Sequence, residues 1–507
     1  MVERSMDPAR VAMVVASNIV TDTRVQKSAA SVARLGHDVT VFWPKPSAAK
    51  ATTTGLGRAK PMPVPAVYNK SRERAMRLKA RRTFRIARRK KALRRVRSHR
   101  ITAWMVRHTR VAWRWLPTQA RRSIRGGILG ARRRITRAVW HVGKAGATTS
   151  NHLIEQFWVR RDDYLARRKR PVFWSSELSL AADLETLFLE RIVAQRPDII
   201  HAHDIHVLAA AAKAKAILHR KGYATRLIYD AHEFVAGTGG ARAAARAAWA
   251  HLERRHIRHV DEVITVSEPI AQELRRRYRL RRPPTVVMNA PDTSKSRRPS
   301  LSLRAQCGLG PDEPLLLYSG GVSPQRGVIE IVRAMPLLPW AHLVIVAVPN
   351  VASPHLAAIR SAATQLGVQH RVHFVNPVPR PQIIPYIAEA DIGIHPLLKG
   401  PANHEMALPN KLFEYIHAGL PVVVSDVKLM SRFVTTEGIG EVYTSLDFED
   451  LARAINAVQA NLDDFRFATA RPELRAAYSW QHQARGIAAV YERLAPRTNP
   501  TVRPSAA

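Results

Sequence analysis

The sequence has little cysteine and no long apolar run, and both absences narrow the class of protein. Its single cysteine, Cys307, excludes an intramolecular disulfide and any metal site built on several cysteines. No stretch of about 18 uncharged apolar residues occurs, so a membrane-spanning helix is not expected. The apolar segment at residues 11–16 is too short for a secretory signal and predicts a first strand. We therefore expect a cytoplasmic protein.

Acidic residues are also few, with 39 Asp and Glu against 81 Lys and Arg, for a net charge of +42. The excess is concentrated in an insertion at about residues 70–170. Between residues 72 and 170 there are 32 basic and four acidic residues, which gives +28 of the total. A charge of this size predicts an anionic partner but does not indicate a fold.

Apolar residues in the insertion, among them Trp104 and Trp115, recur at helical spacing between the arginines. Basic helices with tryptophan on the apolar face are typical of segments that lie in a membrane interface. We therefore expect the insertion to bind an anionic membrane surface, on the inner face of the plasma membrane. Nucleic-acid binding and a solvated arm without a partner are the alternatives.

The length of 507 residues favours two or three domains. Outside the insertion, short apolar strands alternate with helical segments, which predicts two α/β units with parallel sheets. Residues 47–66 and 292–300 are rich in small residues and proline and are interpreted as linkers. The predicted organisation comprises an N-terminal domain at 1–300, a C-terminal domain at 301–480, a helix at 481–495 that returns to the first domain, and a disordered tail at 496–507.

In the N-terminal half, charged and histidine residues follow the predicted strands. Asp22 and Arg24 lie in the loop after the first strand, where parallel sheets bind ligands, although a helix cap and a solvated charge are the alternative interpretation. Two later strands end in polar residues: His203 and Asp204, and Asp230, His232 and Glu233. Because the strands share one sheet edge, these residues predict a cleft wall. His201 lies deeper in its strand and is interpreted as structural.

In the C-terminal half, residues 403–426 form a polar loop, a short helix at 409–417 and an apolar strand. A helix N-terminus with a nearby lysine is suited to phosphate, which makes Asn410 and Lys411 candidate ligands. Glu414, one turn later, is suited to sugar or ribose hydroxyls. Upstream, Gly320, Gly321 and Arg326 follow a predicted strand, and an arginine there can bind pyrophosphate bidentately.

The motifs together resemble those of the retaining glycosyltransferases of family 4, which have the GT-B fold of two Rossmann-like domains facing across a cleft. They occur in the order in which the family has them: Asp-Thr-Arg-Val at 22–25, Gly-His-Asp-Val at 36–39, Pro-Asp-Ile-Ile-His-Ala-His-Asp at 197–204, Tyr-Asp-Ala-His-Glu at 229–233, Asn-Ala-Pro-Asp at 289–292, Ser-Gly-Gly at 319–321, Arg-Gly at 326–327, and Pro-Asn-Lys-Leu-Phe-Glu-Tyr through Gly-Leu-Pro at 409–421. The resemblance covers residues 10–46 and about 176–495 and leaves the basic insertion unmatched.

The resemblance implies a role for each group of candidates. The catalytic set is His203, Glu405, Arg326 and Lys411. The donor-binding set is Gly320, Gly321, Arg326, Asn376, Leu408, Asn410, Lys411 and Glu414, with the backbone near Asn376 at the nucleobase. The acceptor side is Asp22, Arg24, Asp204, Asp230, His232 and Glu233. No metal and no cofactor are implied.

Two departures from the family pattern concern the donor site. Relatives often carry a glutamate eight positions before the one that Glu414 matches, and here Met406 stands in its place, with Glu405 beside it. Glu405, or backbone amides at residues 407–410, would then meet the donor sugar. Relatives also often place an arginine where Gly321 stands, which leaves Arg326 and Lys411 as the expected cations.

The predicted activity is transfer of a sugar from a nucleotide-sugar, with a UDP-sugar favoured, to a lipid-linked or cell-envelope glycan at the membrane surface. A nucleotide-sugar epimerase or hydrolase of the same fold is one alternative. A non-catalytic nucleic-acid binder that uses the basic arm is another.

Overall fold

The structure is a computed structural model that describes residues 8–45, 56–65, 178–238 and 243–494. All of them belong to one compact unit, which comprises residues 1–66 and 157–507. The predictions for the basic insertion and for the tail at 496–507 concern residues outside the described ranges. Within those ranges the predicted α/β architecture, with two parallel sheets, is confirmed.

The first sheet has seven strands in the order β3-β2-β1-β4-β5-β6-β7, all parallel. Its strands are β1 Arg10–Val15, β2 Asp38–Lys45, β3 Lys60–Pro65, β4 Ile199–His203, β5 Arg226–Ala231, β6 Glu262–Thr265 and β7 Thr285–Val286. The helices of this half are α1 Thr23–Arg34, α2 Ser179–Gln195, α3 Ile205–Arg220, α4 Ala243–Ile257 and α5 Glu268–Tyr278.

The second sheet has six parallel strands in the order β10-β9-β8-β11-β12-β13. They are β8 Leu315–Gly321, β9 His342–Val348, β10 Val372–Val375, β11 Ile392–His395, β12 Val422–Ser425 and β13 Gly440–Tyr443. The helices are α6 Leu303–Cys307, α7 Val328–Ala334, α8 His355–Gln365, α9 Ile383–Ile387, α10 Ala402–Met406, α11 Asn410–Ala418, α12 Lys428–Glu437, α13 Phe448–Ala460, α14 Leu462–Ala470, α15 Pro472–Ala477 and α16 Trp480–Leu494.

The central strands are buried on both faces, which is why they are continuous apolar runs in the sequence. In the second sheet, Leu315 and Leu317 pack with the helices on one face while Leu316 and Tyr318 pack on the other. The last helix, α16, packs against α1 in the first half. There the Trp480 indole donates to Ser31 Oγ at 3.0 Å, and the Tyr491 hydroxyl lies 3.0 Å from His201 Nδ1.

Part of the predicted linker at residues 47–66 is wrong, because Lys60–Pro65 forms edge strand β3. Proline is depleted in strands, yet Pro61, Pro63 and Pro65 occupy alternate positions of this strand, each in register with a residue of β2. Successive N–H groups of a strand point alternately to its two sides. Three prolines at alternate positions therefore remove N–H groups from one side only, the side that faces away from β2. An edge strand tolerates that loss.

The polar loop predicted at residues 403–408 is also partly wrong, since Ala402–Met406 forms the short helix α10. Its apolar residues Ala402 and Met406, with Ala407, pack on the cluster of the first half that contains Phe234 and Ile270. Packing across the cleft therefore forms a helix that local polarity does not indicate.

A buried carboxyl in the first half makes stability depend on pH. Glu253 on α4 accepts hydrogen bonds from the Tyr229 and Tyr278 hydroxyls at 2.8 and 2.6 Å, and burial raises its pKa from 4.5 to about 7. Between these values the folded protein keeps a proton that the unfolded chain has lost. Stability is therefore highest below pH 4.5, as far as this group is concerned, and falls as pH rises through 7.

We expect Glu253→Gln to remove this fall, which is on the order of 2–3 kcal/mol. The free energy of unfolding, measured by denaturant titration at pH 5 and pH 8, should differ less in the variant than in the native protein. Glu492→Gln, at an exposed position, is the control and should keep the native pH dependence. An equal pH dependence in Glu253→Gln and the native protein would refute the assignment.

Candidate active site

The candidate residues gather where the parallel strands of both sheets end. His203 ends β4, Asp230 lies near the end of β5, and Gly320 and Gly321 end β8. Carboxyl ends of parallel strands form one edge of each sheet, so residues far apart in sequence meet there. Contacts between the two halves, described below, place both edges at one cleft.

On the first-half side, Asp230 is the centre of a buried polar cluster. Its Oδ1 and Oδ2 accept from Arg24 Nη2 and Nε at 2.7 and 2.9 Å, and both side chains are at most 3% exposed. His203 Nδ1 and His232 Nε2 each lie 3.3 Å from Asp230 Oδ2. Arg24 also donates to the Val287 carbonyl at 2.8 Å. Arg24 is therefore an ion-pair partner in the core, and its interpretation as a solvated charge is wrong.

The protonation states in this cluster follow from burial and from the ion pair. Burial alone would raise the pKa of Asp230, but Arg24 and the two histidines outweigh it and hold that pKa well below the usual range. Burial lowers the pKa of His203, and Asp230 offsets this only in part. Burial likewise holds the pKa of His201 well below 6.5. At neutral pH the cluster is thus an ionised aspartate, a guanidinium and neutral His203.

Three donor atoms here are close enough to share a metal ion, since ligand atoms of His201, His203 and Asp230 lie within 4.8 Å of one another. Two imidazoles and a carboxylate are a donor set that zinc accepts. Both Asp230 oxygens, however, already accept hydrogen bonds from Arg24, and His201 Nδ1 is bonded to the Tyr491 hydroxyl. The guanidinium supplies the positive charge that a metal would bring to this carboxylate.

The remaining acceptor-side candidates differ in whether their carboxylates already accept hydrogen bonds within the described part of the protein. Asp22 is the N-cap of α1, and its carboxylate also accepts from Ser17 Oγ. Asp204 has φ +70° and accepts from the Ile205 N–H at 2.7 Å. Glu233 is exposed, and its carboxyl has no hydrogen-bond partner in the described part of the chain. Partial burial of that carboxyl, together with Asp204, raises its pKa, while His232 and Arg326 oppose the shift.

On the second-half side, Arg326 is an exposed cation that follows the Gly320–Gly321 end of β8. It lies in the short turn Pro324–Arg326, and its guanidinium has no ion-pair or hydrogen-bond partner among the described residues. The next residue, Gly327, has φ +66°, and a Cβ there would stand 2.1 Å from the Pro396 carbonyl oxygen. Only glycine allows the turn to pack this closely, so Gly327 fixes the point from which Arg326 extends.

The nine-residue helix α11 begins at Asn410, at the same sheet edge. Pro409 precedes it and gives no side-chain cap, so backbone N–H groups at its start have no side-chain acceptor. Lys411 Nζ donates to Glu414 Oε2 at 2.7 Å, and Asn410 is exposed at the first position. Burial and the charges of Arg326 and Lys411 lower the pKa of His395, which ends β11, to about 3. Both cations therefore act on one small region at the sheet edge.

Glu405 and Met406 lie on the bridging helix α10. Glu405 Oε1 and Oε2 accept from the Gly400 and Lys428 N–H groups at 3.1 and 2.8 Å. The Met406 side chain packs on the first half, and its carbonyl accepts from Ser267 Oγ. Asn403 Oδ1 accepts from the Phe234 N–H at 2.8 Å. Helix α10 thus connects the two halves, and a contact of Glu405 with the donor sugar stays a prediction.

The other donor-side candidates lie on separate elements of the second half. Leu408 is partly buried and packs with the apolar cluster beneath α11. Asn376 follows β10 and its Oδ1 accepts from the Val351 N–H at 3.0 Å. Gly320 lies against the Tyr318 side chain, whose hydroxyl donates to the Gly321 carbonyl at 2.7 Å.

Sequence reasoning missed Lys27, which lies one helical turn after Arg24. Its ammonium donates to Asn289 Oδ1 at 2.9 Å and to the Ala290 carbonyl, and it lies 4.6 Å from the centre of the Trp480 ring. Burial, and next the charge of Arg24, lower its pKa to about 7, while Glu414 opposes the shift. The only available signal was its i+3 spacing from Arg24.

Comparisons with known proteins agree with this architecture. Residues 149–295 match the family model described as Glycosyltransferase Family 4, and residues 313–461 match the one described as Glycosyl transferases group 1. A D-inositol 3-phosphate glycosyltransferase from Nocardia farcinica is 27% identical over 196 residues, which are 37% of this chain and 42% of that protein. Matches to similar curated relatives also span less than half of their length, 44% and 45%.

Solved structures share the fold across nearly the whole chain. Sucrose-phosphate synthase from Thermosynechococcus elongatus has a TM-score of 0.62 at 15% identity, covering 96% of this chain and 99% of its own. Anabaena HepE in complex with UDP and glucose has a TM-score of 0.57 at 13% identity, covering 96% and 100%. Two parallel α/β halves with a cleft at their carboxyl edges define a GT-B glycosyltransferase fold. With both matched regions, the chain belongs to the family 4, group 1 glycosyltransferases.

In residues 8–45, 56–65, 178–238 and 243–494, no helix combines the length and the apolar character that crossing a membrane requires.

The buried Arg24–Asp230 pair makes a prediction about stability. Asp230→Asn should lower the free energy of unfolding by about 3–5 kcal/mol, because it leaves a buried guanidinium without its counter-charge. Asp38→Asn is the control, since the Lys60–Asp38 pair is exposed and worth at most about 1 kcal/mol. Denaturant unfolding of both variants measures the difference, and equal losses would contradict the role assigned to Asp230.

Proposed function

We propose that this protein is a retaining, metal-independent glycosyltransferase. It transfers a sugar from a nucleotide-sugar, with a UDP-sugar favoured, to a lipid-linked or cell-envelope glycan at the inner face of the plasma membrane. The observation that carries the proposal is the group of positive charges at the second-half edge of the cleft. Arg326 has no ion-pair or hydrogen-bond partner in the described part of the chain, its charge and that of Lys411 both act on His395, and α11 starts without a side-chain cap.

These groups suit the diphosphate of a nucleotide-sugar. A guanidinium binds phosphate bidentately, and free N–H groups at a helix start add a favourable dipole. The ammonium of Lys411 spends one of its three N–H groups on Glu414 and keeps two for a ligand. Glu414, 9% exposed, is then oriented to accept hydrogen bonds from ribose hydroxyls.

The chemistry follows from where charge develops. When the bond between sugar and diphosphate breaks, negative charge grows on the leaving diphosphate, and Arg326, Lys411 and the start of α11 stabilise it. Positive charge grows on the sugar ring. We assign stabilisation of this charge to His203, whose fully buried ring lies 3.3 Å from Asp230. These cations do the work that a metal ion does in other transferases, which supports metal independence.

The acceptor meets the donor from the first-half side. Of the candidates there, Glu233 is an exposed residue whose carboxyl has no hydrogen-bond partner among the described residues, and His232 is the neighbouring imidazole. Both suit hydrogen bonds to acceptor hydroxyls. Asp230 is fully engaged with Arg24 and therefore positions His203 rather than contacting the acceptor. Asp22 and Asp204 are the N-cap residues of α1 and α3, and they fix the loops that lead into these helices.

The proposed membrane binding is inferred from the composition of the basic insertion. The insertion between residues 72 and 170 carries +28 and includes tryptophans at helical spacing. An anionic membrane surface bound by these residues would bring a lipid-linked acceptor to the protein.

A two-stage assay tests the proposal. A thermal-shift screen with UDP, GDP, ADP and their sugars identifies the donor, because a ligand that binds the native state raises the melting temperature. UDP-sugars come first because HepE carries UDP. Transfer is then measured with glycan-lipid acceptors and with D-inositol 3-phosphate, which the relatives' name suggests. Turnover without any acceptor would identify a hydrolase or an epimerase instead, and inversion at the anomeric carbon would contradict retention.

Arg326→Gln should weaken binding of the nucleoside diphosphate about tenfold or more, because a charge-assisted hydrogen bond contributes about 1.5–3 kcal/mol. Calorimetric titration of both proteins with UDP measures the change. Arg432→Gln, also an exposed arginine of the second half, is the matched control and should bind as the native protein does. A loss of the same size in both variants would show that only net charge matters.

Met406→Glu tests whether the family's acid has been lost for a structural reason. We expect the rate of transfer to fall, because a carboxylate among the apolar residues of the first half would be desolvated and would weaken the α10 contact. Met406→Leu should retain most of the activity. A higher rate in Met406→Glu would show that an acid at this position reaches the donor sugar.

A further inference from the structure

A second charged cavity lies at the opposite edge of the first sheet. Its volume is about 1220 Å³, and its walls are the segments that lead into β4, β5 and β6 and the residues that follow α5 and end α16. We name it the basic groove, because seven arginines line it against three acidic residues. This volume exceeds that of typical pockets for small molecules, about 300–1,000 Å³.

The acidic residues of the basic groove already have cationic partners. Asp198 pairs with Arg10 at 3.5 Å, and Asp261 with Lys215 at 2.5 Å. Glu262 pairs with Arg493 at 2.9 Å. The carboxylates therefore neutralise only part of the positive charge around the cavity.

Four arginines of the groove have no carboxylate within 4.0 Å in the described ranges: Arg196, Arg258, Arg279 and Arg281. All four are exposed. Arg196 lies over the Tyr223 ring at 5.4 Å, and Arg258 Nε donates to His259 Nε2 at 3.2 Å. Their contacts leave most of the guanidinium N–H groups facing solvent.

Helix dipoles explain only part of this arrangement. One cation near a helix C-terminus is stabilising, and Arg196 and Arg279 are the C-cap residues of α2 and α5. Arg258 directly follows the last residue of α4, whereas Arg281 lies two residues beyond the C-cap of α5 and is not explained in this way. Like charges gathered in a concave site repel one another and focus a positive potential into it. That cost is offset when an anion occupies the groove.

We propose that the basic groove binds a polyanion that carries several phosphate groups, such as a phosphodiester or polyphosphate chain. Guanidinium groups match phosphate with paired hydrogen bonds. Four unpaired arginines need several anionic groups, and a groove of this volume accommodates a chain better than a single ion. The site goes beyond the proposed transferase activity and does not depend on it.

The basic groove is separate from the candidate active site. Strand β4 runs from Asp198 at the groove to His203 at the cleft, a distance of about 17 Å at roughly 3.3 Å per residue. A polymer bound in the groove therefore leaves the cleft free. It would hold the enzyme on an anionic polymer while the cleft binds donor and acceptor.

The test is binding of end-labelled inorganic polyphosphate, followed by fluorescence anisotropy over a series of salt concentrations. The full-length double variant Arg279→Gln/Arg281→Gln should bind about tenfold more weakly or worse, with a shallower dependence on salt. The double variant Arg298→Gln/Arg432→Gln removes the same charge from exposed positions outside the groove and should change affinity less than about twofold. Both double variants retain the basic insertion, so a difference in affinity between them is due to the arginines of the basic groove.

Equal losses in the two double variants, or none in either, would overturn the proposal. Polyglutamate competing as well as polyphosphate, with the same dependence on Arg279 and Arg281, would overturn the assignment to phosphate. The thermal shift with UDP should be unchanged in both variants, and this shows that each is folded. If UDP does not shift the melting temperature of the native protein either, the proposed transferase function fails. The proposal for the basic groove is then still tested by the affinities for polyphosphate.

Discussion

The ion pair between Arg24 and Asp230 joins three parts of the first half that are distant in sequence. Its guanidinium comes from the start of α1, its carboxylate from the end of β5, and a further acceptor is the Val287 carbonyl beyond β7. Removing two charges from water is costly, and such a pair persists only when the remaining hydrogen-bonding groups are satisfied. The loops of the cleft wall therefore have little freedom to move independently.

The two sides of the cleft consequently differ in their electrostatics. On the first-half side, the aspartate is balanced by Arg24, and His203 beside it is neutral. On the second-half side, Arg326 lacks a counter-ion among the described residues, and the start of α11 lacks a side-chain cap. His395 beneath them is held neutral. Among the described residues, only the second-half side thus carries a cation that lacks a counter-ion, and it is the side suited to an anionic ligand.

Much of this arrangement was predictable, because buried parallel strands are apolar runs and the polar residues that follow them must share an edge. The positions of His203, Asp230 and Arg326 at or after strand ends follow from this pattern, while their roles stay predictions. The errors concern features that depend on distant contacts. Helix α10 forms against the other half, Glu405 reaches the Lys428 amide 23 residues on, and Lys27 bonds to Asn289 across 262 residues. Local spacing contains no information about such partners.

The prolines of β3 have a consequence for the surface of the first sheet. With Pro61, Pro63 and Pro65 on the outward positions, this border offers carbonyl oxygens but no matching row of N–H donors. A strand from another molecule could not complete a hydrogen-bonded ladder there. The opposite border, β7, is only two residues long. Within the described residues, neither border of the first sheet therefore offers a template for a strand of a second molecule.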